Sequence, residues 1–302
     1  MADIMLQTAM ITPVTRAGTL DYDALDRLVN RVLQAGHIGF SVLGSTGEGA
    51  SVPLPVRREL RQAVLARVNG RVPVFTGIIG NIASDIEEDL HRCADLDLSG
   101  ILVPPPSYYP MDHEELRDFY LRLADMSPFP LMLYNIPPFT KISLPPETVA
   151  SLARHPRIMG IKDSSRNFDY LLRLISLTRH DLEFAVLVGT ETLVLPAMVA
   201  GAAGAVLGSA NIVPEWIARL GRQISEGAWD EARDTEDDLV QLAEALRKTD
   251  GARGFKYATA LIDHHEGCLM APYHRLHPTS PAAQAIMAAL QKFHLIRPQD
   301  PA

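Results

Sequence analysis

Short apolar runs alternate along this chain with stretches whose apolar residues fall three and four positions apart. The runs are Ala9–Val14, Ile38–Leu43, Val72–Ile78, Gly100–Val103, Pro130–Tyr134, Ile158–Lys162, Phe184–Val188 and Ala202–Leu207. Their cores are continuously apolar, as in ILV, LML and AVLV, the pattern of strands covered on both faces and therefore paired in parallel. Between the first two runs, Leu25, Leu28, Val29, Val32 and Leu33 repeat as the stripe of a surface helix, and Leu60, Val64 and Leu65 do the same further on. Eight strand–helix alternations predict an α/β fold, a (β/α)₈ barrel rather than an open doubly wound sheet. After the eighth unit only helical periodicity continues, over Trp229–Lys248, Gly254–His264 and Ala282–Phe293. The expected organisation is thus a barrel over 1–224 and a helical extension over 225–302.

Composition narrows the class of ligand. At 302 residues and 47% hydrophobic, the chain can bury a large core and carries no apolar run of membrane-spanning length. The start, MADIMLQTAM, lacks the basic segment and apolar block of a secretory signal, and Cys93 and Cys268 are too few and too far apart for a disulfide framework. A cytoplasmic protein is expected. A net charge of −8 without a basic cluster argues against nucleic-acid and membrane-surface partners and favours a small molecule.

In such a barrel, chemistry sits at the carboxyl ends of the strands. Gly44-Ser45-Thr46 follows strand two, Tyr108-Tyr109 strand four and Gly189-Thr190-Glu191 strand seven, while Tyr134 and Lys162 end strands five and six. The chain has only five lysines, Lys141, Lys162, Lys248, Lys256 and Lys292, and of these Lys162 alone directly follows a strand-like run. Desolvation lowers an amine's pKa from about 10.4 toward neutrality and makes it able to form a Schiff base with a carbonyl. Position alone leaves open a structural ion pair with Asp163. Tyr134, one unit earlier, would stand at the same height as Lys162, where a phenol can relay protons. A lone tyrosine there would more often be an aromatic plug.

The hexapeptide Gly44-Ser-Thr-Gly-Glu-Gly49 has no Lys-Ser/Thr after its last glycine and reads Gly-x-x-Gly-x-Gly, so it fits neither nucleotide fingerprint. Its clustered backbone N–H groups suit a carboxylate, and Ser45-x-x-Glu48 is a capping-box spacing that assigns Glu48 to closing a helical turn. His264-His265-Glu266 and His274-x-x-His277 lack the spacing of a zinc helix, so no metal and no other cofactor is expected. Asp21, Asp85, Glu87 and Glu88 lie near helix starts and read as structural.

Gly44-Ser-Thr-Gly-Glu48, Tyr108-Tyr109, Tyr134-Asn-Ile-Pro137 and Gly160-Ile-Lys-Asp163 together resemble, in order and spacing, the dihydrodipicolinate synthase / N-acetylneuraminate lyase family. The likeness runs from Thr8 through Asn211. It implies a barrel with a C-terminal helical domain, a homotetramer, and class I aldolase chemistry on pyruvate or another 2-keto acid. By matching position, it implies Lys162 as the Schiff-base lysine, Tyr134 as general acid/base and Ser45 in the proton relay. Thr46 and Gly47 would seat the keto-acid carboxylate, and Tyr109 would be lent across a dimer interface. Gly189 and Val206 match pocket walls.

Phe139 stands where the family's synthases carry an arginine for the second substrate's carboxylate, and an apolar ring cannot make that bidentate contact. Asp163-Ser164-Ser165 replaces the synthases' Glu-Ala after the lysine, as in several sugar-acid aldolases. The expectation is therefore a 2-keto-3-deoxy sugar-acid aldolase or dehydratase. The alternatives are dihydrodipicolinate synthase itself and a barrel that binds a keto acid without turning it over.

Overall fold

The computed structural model describes residues 4–181, 183–249 and 251–297. Among the described residues, eight strands pair in parallel, each with the next, and the last returns to the first to close a barrel. They are β1 (Met5–Ala9), β2 (Gly39–Val42), β3 (Val74–Gly77), β4 (Gly100–Val103), β5 (Leu131–Asn135), β6 (Ile158–Asp163), β7 (Ala185–Val188) and β8 (Gly204–Leu207). The helices between them are α1 (Tyr22–Gln34), α2 (Leu54–Val68), α3 (Ala83–His91), α4 (His113–Met126), α5 (Pro137–Thr140), α6 (Pro146–Leu152), α7 (Phe168–Thr178) and α8 (Val194–Ala200). Then follow α9 (Pro214–Glu226), α10 (Trp229–Leu246), α11 (Arg253–Asp263) and α12 (Pro281–Lys292) without further strands.

The two-residue period of a strand sorts the core into two parts. Leu102, Met132, Tyr134, Leu187 and Val206 share the cluster inside the barrel. Their immediate neighbours Ile101, Leu131, Leu133, Val188 and Leu207 belong to the larger cluster between barrel and helices. Lys162 follows Ile161 of the outer cluster and is paired in register with Tyr134, so it points inward. Asp163, one residue on, faces the helices.

The first strand lies earlier than its apolar pattern predicts. Residues 5–9 form it, with Gln7 and Thr8 buried, whereas Met10–Val14 run as a loop across the barrel mouth. That loop is as dry as a strand, which is why its composition misleads. The ladder runs out just past Ala9: Met10 N still donates to Ser41 O on β2 (3.0 Å), but Ile11 N turns to the side-chain Oδ1 of Asn211 (3.0 Å), and Pro13 has no N–H. The other strands stand within a few residues of expectation.

The acids expected to be structural are so. Asp21 caps α1 through Ala24 N (3.0 Å), Asp85 lies in the first turn of α3, and Glu87 and Glu88 pair with Arg122 and Arg92. A stronger electrostatic tie went unseen in the sequence. Fully buried Asp89 on α3 takes Arg57 Nη1 at 2.7 Å and Arg61 Nη1 at 2.6 Å, and Arg61 also donates to Thr76 Oγ1 on β3. Removing one member of such a buried set costs about 3–5 kcal/mol, because the survivor is left charged and dry.

Candidate active site

At the carboxyl ends of the strands lies a cavity of about 380 Å³, at the lower end of the range that small-molecule sites occupy. Ser45, Thr46, Tyr134, Lys162, Gly189 and Val206 all line it. Lys162 Nζ is 3.5 Å from Tyr134 Oη and 4.5 Å from the centroid of its ring. Tyr134 Oη in turn is 3.3 Å from Ser45 Oγ. Amine, phenol and hydroxyl therefore form one connected row from the barrel interior toward the β2 loop.

Two lysines are buried, and their surroundings separate them. Lys256 is ion-paired to Glu48 and donates to Cys268 O at 2.8 Å. Burial pushes its ammonium below the ordinary lysine range, with Glu48 opposing. Lys162, only 4% exposed, makes no ion pair among the described residues. The structural pairing with Asp163 does not form. That carboxylate accepts from Asn135 Nδ2 (2.7 Å), Ser165 Oγ (2.9 Å) and Ser165 N (3.2 Å) on the far side of the strand. Its burial raises its pKa, against those hydrogen bonds.

Glu48 is not a helix cap. It sits at φ +55°, and its Oε1 accepts from Met270 N at 2.9 Å while its other oxygen meets Lys256. The carboxylate thus ties the β2 loop to α11 and the segment after it, partners more than 200 residues away that no local spacing reveals. The glycines of the hexapeptide serve close packing. A Cβ on Gly49 would lie 1.9 Å from Leu43 O, and one on Gly47 would lie 2.7 Å from Met10 O. Gly47 is also absent from the cavity wall; its carbonyl accepts from Thr12 Oγ1 at 2.6 Å.

Gly189 has a more direct effect on the lysine. A Cβ there would stand 2.9 Å from Lys162 Cε and 2.1 Å from Ser164 Oγ, so only glycine leaves the lysine's stem its path. Phe139, half exposed on α5, lines the cavity rim. Lys141 does not reach the cavity; at φ +60° it turns away and donates to Pro138 O at 2.7 Å. Tyr109 does not enter the cavity of its own chain. It is 76% exposed, edge-on to Tyr108 at 5.0 Å between centroids.

Sequence reasoning passed over two arginines in the wall, Arg166 after β6 and Arg247 at the end of α10. Arg247 pairs with Glu191, a fully buried carboxylate that also accepts from Ser209 N (3.1 Å) and Ser209 Oγ (3.0 Å). The signal for Arg166 is its backbone, at φ +61°, which no composition rule exposes.

Residues 4–292 match the family model described as the dihydrodipicolinate synthetase family. A 4-hydroxy-tetrahydrodipicolinate synthase from Pelobacter propionicus is 31% identical over 284 residues, 94% of this chain and 96% of that one. Another from Thermus thermophilus is 37% identical over 234 residues, 76% and 77% of the two chains. Among solved structures, the dihydrodipicolinate synthase of Thermotoga maritima superposes with a TM-score of 0.92 at 26% identity, covering 97% of this chain and 99% of that one. A prophage protein of the dihydrodipicolinic acid synthase family from E. coli K12, solved in complex with pyruvate, gives 0.91 at 25%, covering 98% and 100%. The chain belongs to the dihydrodipicolinate synthetase family, the class I pyruvate aldolases whose motifs its sequence resembles.

Proposed function

We propose that this lyase of the dihydrodipicolinate synthetase family binds a 2-keto acid as a Schiff base on Lys162 and makes or breaks a carbon–carbon or carbon–oxygen bond beside it. One observation carries the reading: a buried lysine with no carboxylate partner among the described residues, 3.5 Å from a phenol at the mouth of the barrel. The amine adds to the C2 carbonyl, and the Tyr134–Ser45 row supplies the proton with which the carbinol oxygen leaves as water, giving an iminium. In the aldolase direction the C4 hydroxyl loses its proton to the Tyr134–Ser45 row as the C3–C4 bond breaks, the electron pair passing into the iminium to form an enamine. The aldehyde leaves. Protonation at C3 and hydrolysis then release pyruvate and the free lysine.

We assign the keto-acid carboxylate to Thr46, with Val206 as part of the surrounding wall; both line the cavity. Phe139 at the rim favours a 2-keto-3-deoxy sugar acid as substrate for cleavage or dehydration. The second reading, condensation of pyruvate with aspartate semialdehyde, is supported by the named activity of relatives 31–37% identical. The helical segment from 225 onward serves as a brace for the β2 loop through Glu48 and Lys256. The exposed Tyr109 suits a homotetramer in which it reaches a neighbour's site, and the two unlinked cysteines suit the cytoplasm.

Borohydride reduction with saturating pyruvate, followed by peptide mass analysis, tests the chemistry. An adduct on Lys162 is expected; folded protein without one overturns the mechanism, including in favour of a passive binder if pyruvate still binds. Turnover of pyruvate plus aspartate semialdehyde against cleavage of 2-keto-3-deoxy acids decides between the two substrate readings.

A further inference from the structure

Among the described residues, the cavity wall carries more positive charge than one keto acid consumes. Lys162, Arg166 and Arg247 all line it, and among the described residues no aspartate or glutamate does. Glu191 lies behind the wall and offsets Arg247. Lys162 becomes the iminium, and the keto-acid carboxylate balances one cation. Arg166 forms no ion pair among the described residues, which leaves one guanidinium facing the cavity uncompensated.

Arg166 also sits at φ +61°, the left-handed backbone conformation that a non-glycine residue takes only under strain. The turn that holds it lies four residues beyond Lys162, so the strained residue places its side chain over the same cavity. Desolvation, then repulsion from Arg247, holds the Arg166 guanidinium below its ordinary range, with Glu191 opposing. An anion set between the two arginines relieves that repulsion and accepts their paired N–H donors.

We propose that Arg166 and Arg247 form an anion-recognition site for the far end of the second substrate, making this enzyme selective for an aldehyde, or a sugar acid yielding one, that bears a carboxylate or a phosphate. This rests on the Schiff-base reading and adds to it the chemical class of the partner. It also answers the loss of an arginine at Phe139: the positive charge reaches the cavity from the β6–α7 turn and from the end of α10 instead.

The test measures pyruvate-dependent consumption of succinate semialdehyde, glyceraldehyde 3-phosphate and uncharged glyceraldehyde. The wild type is expected to prefer one of the two anions over glyceraldehyde by at least tenfold in kcat/KM, and which one names the group. Arg166→Gly, which suits the left-handed backbone, should collapse that preference at least tenfold. Arg247→Lys, which keeps a charge for Glu191 but not a planar fork, should weaken it less. Equal use of charged and uncharged aldehydes by the wild type, or an undiminished preference in Arg166→Gly, overturns the proposal. Pyruvate trapping on the wild type runs alongside. If trapping fails, or no aldehyde turns over, calorimetric titration with succinate and with inorganic phosphate reads the arginines directly: binding lost in Arg166→Gly upholds the anion site even where the Schiff base does not stand, and binding absent from the wild type or retained in the variant overturns it.

Discussion

Tyr134 and Lys162 are register partners across β5 and β6, with the amine 3.5 Å from the phenol oxygen and 4.5 Å from the ring centroid. Parallel pairing puts them at one height, and the two-residue period turns both inward. The same period sends the next residues, Asn135 and Asp163, outward, where they bond to each other at 2.7 Å. One rung therefore carries the candidate chemistry, and the next anchors it from behind.

Tyr134→Phe removes the hydroxyl and keeps the ring that packs in the barrel. Turnover should fall by about 10²–10⁴, the usual worth of a general acid or base, with thermal unfolding nearly unchanged. Steady-state kinetics and circular dichroism melting check both halves. Undiminished kcat would return Tyr134 to a packing role.

Gly189→Ala puts a methyl against Lys162 Cε and Ser164 Oγ. We expect a stability loss of about 1–3 kcal/mol from overpacking and a fall in the rate of pyruvate trapping. Adding Ser164→Ala relieves the closer clash only. The stability should recover in part while the trapping rate stays low; full recovery of both would mean that Lys162 tolerates the methyl.

Glu48→Gln leaves the ammonium of Lys256 buried without a counter-charge, while the amide oxygen can still accept from Met270 N. The expected cost is about 3–5 kcal/mol in urea unfolding. Glu48→Gln combined with Lys256→Met should restore much of it, since no charge is then stranded. Additive losses in the double variant would refute this coupling between the β2 loop and α11.

Asp163 predicts a pH dependence. Its folded-state pKa lies above the ordinary 3.8, because burial outweighs its hydrogen bonds. The native state thus holds the proton more tightly than the unfolded chain does. That contribution to stability is complete below about pH 3.8 and is lost as pH rises through the raised value. Urea midpoints for the wild type and Asp163→Asn should diverge in the variant's favour as pH climbs out of the acid range. A pH-independent difference would contradict the sign.

Much of this was legible in the chain. Eight apolar runs announced the parallel barrel, because strands buried on both faces need no polar alternation. Tyr134 and Lys162 were legible because each ends such a run. The first strand was not: Met10–Val14 is as apolar as a strand, yet after Met10, which makes the last bond to β2, the Ile11 N–H goes to the side chain of Asn211, two hundred residues distant. Glu48 misled for a related reason. Ser-x-x-Glu is a local cap by spacing, but a buried lysine on α11 offered its carboxylate a stronger partner than a turn's own N–H groups.

By itself the sequence determined the barrel, the inward rung that carries an amine beside a phenol, and the family, since hydrophobic period and motif spacing are properties of the chain. Which buried lysine stands without a counter-ion among the described residues, which glycine clears its path and which two arginines reach the cavity wall were decided only by the tertiary structure. Those are questions of distance and dielectric, and both are set by residues far apart in sequence that folding brings within a few ångströms.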